Sequence, residues 1–181
     1  EYPKLYRIVR EVAKLSNLPM PKVYVIPTNS PNAFATGRNP KNAAVAATDG
    51  ILSILNDEEL KGVIAHEFAH IRNRDILIST VAGTIAGIIS YISHMFMWSA
   101  MFGGKDDDNR GNAVGLIALA IITPIVASLI QLAISRSREY FADESGAKTV
   151  KNGNALADAL EKIEKNTNTN PMLTVSRSRK L

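Results

Sequence analysis

Two long segments without a charged side chain restrict what this 181-residue chain can fold into. Residues 76–102 contain no Lys, Arg, Asp or Glu, and residues 113–134 contain none either. At ~1.5 Å of rise per residue, a helix of about 20 apolar residues crosses a hydrocarbon core of ~30 Å. Two buried helices in a soluble core are the alternative, but a domain of this size has too little other material to cover two helices that are apolar on all sides. The two segments therefore predict an inserted transmembrane hairpin.

The charges that flank the apolar segments predict an orientation. Arg72 and Arg74 precede the first segment, and Arg136 and Arg138 follow the second. The connection at residues 103–112 carries three Asp against one Lys and one Arg. Because positive charge is enriched on the cytoplasmic side of membrane proteins, we expect both outer ends of the hairpin in the cytoplasm and the acidic connection outside.

A helical pattern before the first apolar segment carries His66, Glu67 and His70 in the sequence HEFAH. Asn56, followed three residues later by Glu59, forms a capping-box pattern at the start of this helix. Residues four apart share one helix face, so the two imidazoles can converge on a single point. Two neutral imidazoles leave room on a zinc ion for a third protein ligand and a water, and the adjacent carboxylate can take that water's proton. The pattern predicts a zinc site with Glu67 as catalytic base; the alternative is a surface helix with two incidental histidines.

A later helical pattern, at residues 135–147, offers acidic side chains for the third ligand position. Glu139 and Asp143 are four apart and share a face. Glu139 fits as an oxygen ligand, and Asp143 can then hold the second nitrogen of a ligand histidine. Glu144 competes for the ligand role on composition alone. Since the chain contains no cysteine, one Zn²⁺ per chain is expected to be held by nitrogen and oxygen atoms.

Three short β patterns precede the HEFAH helix, at residues 22–26, 32–37 and 43–48. The turn-rich segments PTNSPN and GRNPKN separate them, which predicts a small antiparallel sheet. An amphipathic helical pattern at residues 2–17 comes first in the chain. The predicted fold class is α+β and mainly helical.

The second of these strands is the candidate for binding substrate. An exposed strand beside a zinc site can pair with an extended peptide through main-chain hydrogen bonds, although a merely structural hairpin has the same pattern. The candidate residues on this strand are Asn32, Ala33, Phe34 and Ala35. Arg138 and Tyr140, on either side of Glu139, are further candidates for contacting the substrate and its oxyanion.

The charge balance argues against one class of partner. With 21 basic and 17 acidic residues, the net charge of +4 is small and scattered, so nucleic acid is not expected. The expected partners are polypeptide substrates, in particular membrane proteins, and the lipid bilayer.

Three motifs together resemble a known family. NAFATG, then TDGILSILNDEELKGVIAHEFAHIRNRD, then the apolar hairpin and SRSREYFADESGA are similar to the HtpX group of the M48 metallopeptidases, which are membrane zinc endopeptidases. The resemblance implies a zincin-like metalloprotease domain in two parts, residues 1–75 and 135–181, with an inserted transmembrane hairpin at residues 76–134.

The resemblance also assigns roles to individual residues. It implies that His66, His70 and Glu139 bind the metal, that Glu67 is the catalytic acid and base, and that Asp143 is the partner of a ligand histidine. Members of this group usually have further hydrophobic segments before the matching part and continue beyond it, so we expect the chain to be a piece of a longer protein.

The function that the resemblance implies is proteolytic quality control. Misfolded or damaged membrane proteins would be hydrolysed at the plasma membrane of a prokaryote by a multi-pass enzyme with its active site on the cytoplasmic side. Two alternatives stay open. One is a prenyl-protein protease, which needs a large intramembrane chamber that two spans could hardly build. The other is a non-catalytic zinc-binding membrane scaffold, against which Glu67 argues, because structural zinc sites are normally closed by four protein ligands.

Overall fold

A computed structural model describes residues 2–102 and 110–169 of the chain. They form two compact units: the first comprises the described residues up to Arg74 and from Phe141 onward, and the second is Asp75–Tyr140. In chain order the elements are α1 (Pro3–Leu15), β1 (Lys22–Ile26), β2 (Ala33–Gly37), β3 (Ala43–Thr48), α2 (Asp49–Ile54), α3 (Asp57–Asn73), α4 (Asp75–Phe102), α5 (Arg110–Val150) and α6 (Gly153–Thr169). The mainly helical α+β class predicted from the sequence is confirmed.

The sheet of the first unit is mixed, with strand order β1–β3–β2. β2 and β3 pair antiparallel, with Ala33 opposite Ala47, as predicted. β1 instead joins β3 in parallel, with Lys22 opposite Ala44, where the sequence had suggested an antiparallel sheet throughout. Parallel strands need a longer connection than neighbouring antiparallel strands. The chain between β1 and β3 includes β2 and is long enough for the parallel pairing. In the strand order of the described residues, β2 is an edge strand.

The core of the first unit lies between α1, α3 and the sheet. α1 packs its apolar side against α3, and the largest fully buried side chains include Phe68, Leu5, Ile8 and Ile64. Burying a side chain of this kind contributes about 1.5–3 kcal/mol relative to leaving it exposed. These contacts anchor the apolar side of α3 in the core.

Both ends of α3 are defined by local contacts. The Asn56 side chain accepts the Glu59 N–H, and the Glu59 carboxylate accepts the Asn56 N–H, each at 2.9 Å, which is the predicted capping box. Arg74 ends the helix in the left-handed conformation, with φ 56°, and α4 begins at the next residue. The preceding helix α2 was not predicted, because six residues are too few for a helical periodicity to show.

The second unit consists of long apolar helices. The segments Asp75–Ser99 and Ile117–Val150 are long and apolar enough to cross a membrane, and only 6% of the most apolar stretch of each is buried. Such exposure disfavours the alternative of two helices in a soluble core. The predicted helix at residues 135–147 is the last part of α5 rather than a separate element. The boundary between the two compact units follows Tyr140, and the end of the hairpin at residue 134 stays a prediction. Most of the predicted acidic connection lies outside the described residues.

Candidate metal centre

The helix α3 brings the two predicted ligand histidines together. Their rings are 4.6 Å apart between centroids and nearly perpendicular, at 86°, and the Nε2 atoms of His66 and His70 are 3.0 Å apart. Two nitrogens bound at ~2.0–2.1 Å to a tetrahedral zinc ion would lie roughly 3.3 Å apart. The pair therefore fits a common metal ion with little adjustment.

A carboxylate orients one of these imidazoles. Asp143 Oδ1 lies 2.8 Å from Nδ1 of His66. A carboxylate that accepts the Nδ1–H fixes the ring orientation and leaves the lone pair on Nε2. His66 thus presents to the metal position the nitrogen that faces His70.

Gly146 allows this contact, and sequence reasoning missed it. A Cβ at this position would lie 3.0 Å from the backbone nitrogen of His66 and 3.1 Å from its Cα, which is tighter than real Cβ contacts normally are. The absent side chain lets the last part of α5 touch the backbone of α3 beside His66, one turn after Asp143. A small residue one helical turn after a polar residue is a weak signal, because the same pattern occurs wherever helices pack closely.

The candidate base lies against the edge strand. The backbone N–H of Ala35 donates to Oε2 of Glu67 at 2.8 Å. The contact joins β2 to α3. The sequence analysis had related these two elements only by expecting both to contact the same peptide substrate. It was not predictable from spacing, since the two residues are far apart in the chain.

The four strand residues predicted to bind substrate differ in the direction of their backbone N–H and carbonyl groups. Both backbone groups of Asn32 are used by Thr48: the Asn32 N–H donates to the Thr48 hydroxyl, and the Asn32 carbonyl accepts the Thr48 N–H, each at 2.9 Å. In an antiparallel pair the backbone groups of successive residues point alternately toward and away from the partner strand. Phe34 therefore points its backbone groups toward β3 like Asn32, and Ala33 and Ala35 point theirs toward the open edge.

The predicted residues on α5 also have different surroundings. Glu144 pairs with Lys148 at 2.6 Å on the exposed side of the helix. Arg138 donates to the backbone carbonyl of Asp75 at 2.9 Å and also contacts the Ser79 hydroxyl, so its guanidinium holds the two helices of the second unit together. Tyr140 is exposed.

Glu139 belongs to the second unit and lies one helical turn before Asp143 on the same continuous helix. Residues four apart on a helix share a face. By this spacing, Glu139 shares a helix face with Asp143, whereas Glu144 directly follows Asp143 in the sequence.

Two histidines four apart on one helix, with a glutamate after the first, define the class of HExxH metal sites. The chain matches the family profile of Peptidase family M48 over residues 1–177 and belongs to that family. The resemblance seen in the sequence motifs is thereby confirmed.

Several relatives carry the name "Protease HtpX homolog". One from Syntrophobacter fumaroxidans is 53% identical over 180 residues, covering 97% of this chain and 64% of that relative. One from Syntrophotalea carbinolica is 55% identical over 175 residues, covering 95% and 62%, and one from Thermococcus kodakarensis is 55% identical over 174 residues, covering 95% and 60%. The chain spans less than two thirds of the length of these relatives. No solved structure matches it.

Proposed function

We propose that this chain carries the active site of a membrane-bound zinc endopeptidase that hydrolyses misfolded or damaged membrane proteins. The observation that carries the proposal is the pair of Nε2 atoms 3.0 Å apart on α3, with Glu67 next to His66 and in contact with an edge strand. Membership of Peptidase family M48 supports it, as does the word protease in the names of the relatives.

The proposed ligands of one zinc ion are Nε2 of His66, Nε2 of His70 and a carboxylate oxygen of Glu139. Glu139 is favoured over Glu144 because it shares a helix face with Asp143, whose carboxylate already holds His66. Glu144 is paired with Lys148 instead. Three protein ligands leave the fourth position open, as catalytic zinc sites require.

A zinc ion at such a site supplies a nucleophile at neutral pH and polarises the carbonyl that is attacked. Glu67 accepts a proton from the attacking water while the water oxygen bonds to the carbonyl carbon. It then delivers that proton to the amine nitrogen as the C–N bond breaks. General acid and base catalysis of this kind contributes about 10²- to 10⁴-fold in rate. Asp143, 2.8 Å from Nδ1 of His66, holds the orientation of that ring throughout.

The proposed substrate lies extended along the open edge of β2. Ala33 and Ala35 point backbone groups outward there, so a peptide can pair with main-chain atoms whatever its side chains are. Such pairing suits an enzyme that acts on many damaged polypeptides. We do not assign Arg138 to the substrate, because Asp75 and Ser79 already bind it.

The proposed location is the plasma membrane of a prokaryote, with α4 and the apolar part of α5 crossing the bilayer. Arg72, Arg74 and Arg136 flank these segments and favour a cytoplasmic position for both outer ends. Because the chain has no cysteine, single cysteines can report the topology. A membrane-impermeant maleimide added to intact cells should label Lys105→Cys, whereas Lys14→Cys should react only after lysis. The reverse pattern would contradict the orientation.

The catalytic proposal is tested by zinc content and casein cleavage of the purified chain in detergent. Wild type and Glu67→Gln should each bind one zinc, and cleavage should fall by at least about 10²-fold in Glu67→Gln, because only the proton acceptor is removed. Equal cleavage by both proteins would refute the role of Glu67. Bound zinc without cleavage by the wild type, repeated with the full-length protein, would favour the non-catalytic scaffold.

A further inference from the structure

We propose that the backbone N–H of Ala35 is a positioning group for Glu67, and that this contact sets the register in which a peptide pairs with β2. The inference deepens the proposed endopeptidase function and rests on it. Its starting point is the hydrogen bond of 2.8 Å from the Ala35 nitrogen to Oε2 of Glu67.

The Ala35 amide is available for this purpose because of its place in the strand. Thr48 donates its N–H to the Asn32 carbonyl, which makes residues 32 and 48 a hydrogen-bonded pair. With the register of Ala35 opposite Val45, the alternation of an antiparallel pair turns the Ala35 N–H away from β3. The amide is therefore not needed by the sheet.

Both ends of the contact are on rigid elements. Glu67 lies between residues of α3 that pack into the core, and the next residue, Phe68, is fully buried. β2 is tied to β3 at its start by three hydrogen bonds between Asn32 and Thr48. A hydrogen bond between two elements of the same unit can define the orientation of the carboxylate between them.

The same contact has a consequence for the substrate. An extended peptide on the open edge of β2 can pair with both the N–H and the carbonyl of Ala33. At Ala35 it can use only the carbonyl, because Glu67 accepts the N–H. Regular pairing is therefore complete at Ala33 and interrupted at Ala35, and the interruption places a peptide bond of the substrate beside the base.

The proposal is tested with Ala35→Pro and the matched control Ala33→Pro. Each proline removes one outward N–H from an edge strand and keeps the carbonyl, a position where proline is tolerated, and only the first loses the contact with Glu67. Misplacing a catalytic group by about 1 Å can cost 10²-fold in rate. We expect kcat of Ala35→Pro to fall about 10²-fold with KM changed less than about threefold, and Ala33→Pro to raise KM with kcat changed less than about threefold, as for loss of uniform binding.

Zinc affinity provides a readout that does not depend on turnover. Competition with a chromogenic chelator should give the same zinc Kd for wild type, Ala35→Pro and Ala33→Pro, because neither amide contacts a histidine. Wild-type kcat in Ala35→Pro would overturn the proposal. So would equal losses of kcat in the two variants, or a zinc Kd raised in Ala35→Pro alone, since either result would indicate a general role of the strand.

Replacement of the Ala35 amide by an ester, with lactic acid introduced at this position, removes only the N–H and covers the case in which the proline variant does not fold. A kcat lowered about tenfold is expected, and an unchanged kcat would overturn the proposal. Glu67→Gln in the same assay distinguishes failure of the endopeptidase function from failure of the positioning proposal. If it cleaves like wild type, the endopeptidase function fails; if it is inactive while both Ala35 variants retain kcat, only the positioning proposal fails.

Discussion

The two units of this protein place apolar side chains in opposite environments. In the first unit Leu5 and Phe68 are 0% and 1% exposed, whereas in the second unit Ile85 and Leu129 are 53% and 60% exposed. Contiguous apolar surface on this scale marks a site of contact with a membrane or with another protein. The first unit therefore uses its hydrophobic residues to build its own core, whereas the second leaves them on its surface.

Many polar side chains also differ between the units, although Arg138 joins α4 and α5 within the second unit. In the first unit they connect separate elements, as His66 does with Asp143 and Lys162 with Glu59. In the second unit hydroxyl groups such as those of Thr80 and Ser93 donate to carbonyls one turn earlier in their own helix. A helix in lipid must satisfy its polar groups internally, so this pattern agrees with a membrane-spanning role.

The largest expected effect comes from placing a charge on each exposed surface. Leu129→Arg should reduce membrane integration at a cost of about 2.5–3.5 kcal/mol, the penalty for arginine near the centre of a membrane-spanning helix. Tyr24→Arg, at a side chain of the first unit that is 52% exposed, should change stability by less than about 0.5 kcal/mol. Glycosylation-based insertion assays and thermal unfolding measure the two outcomes. Normal integration of Leu129→Arg would contradict the difference between the two units, because the surface around Leu129 would then accept a charge as readily as the surface of the first unit.

A smaller effect is expected at the metal site. Asp143→Ala should weaken zinc binding about 10- to 100-fold, the usual effect of removing the partner of a ligand histidine. Glu144→Ala, the matched control on the next residue, should leave zinc affinity unchanged, since Glu144 contacts Lys148 on the exposed side. Chelator competition on both variants tests this. A larger loss in Glu144→Ala would move the third ligand from Glu139 to Glu144.

The smallest effect concerns the attachment of α6 to α3. Lys162 lies 2.7 Å from Glu59 and, as its main cause, lowers the pKa of that carboxyl below its ordinary value. The Lys162 side chain is 47% exposed and that of Glu59 8%, so solvent screening reduces the pair to about 1 kcal/mol. A lowered folded-state pKa stabilises the protein above the unfolded-state pKa of about 4.3, and that contribution disappears as the pH falls through the folded-state value.

Denaturant unfolding at pH 7 and pH 3 checks this attachment. Lys162→Met should be less stable than wild type at pH 7 and nearly equal to it at pH 3. Lys165→Met is the control on the same helix, because its partner Glu161 is exposed, and it should show a smaller dependence on pH. A constant difference between Lys162→Met and wild type at both pH values would contradict an electrostatic origin.

Much of the local structure was predictable. The capping box at Asn56, the strands at residues 22–26 and 43–48, and the two apolar helices depend on residues that are close together in the chain. The pairing of His66 with His70 belongs to the same group, because the geometry of a helix alone sets the spacing of its side chains. The parallel pairing of β1 with β3 was not predictable, since the period of a strand is the same for either direction.

The sequence by itself determined the residue types of the proposed metal site, the two long apolar helices and the family, because each is carried by short-range spacing or by a continuous run. Only the tertiary structure decided that Ala35 donates to Glu67, that Gly146 touches the backbone of His66, and that Arg138 binds the backbone of Asp75. These contacts join residues far apart in the chain. Their existence depends on how closely whole elements pack, which is set by the combined shape of many side chains and is not written in any one motif.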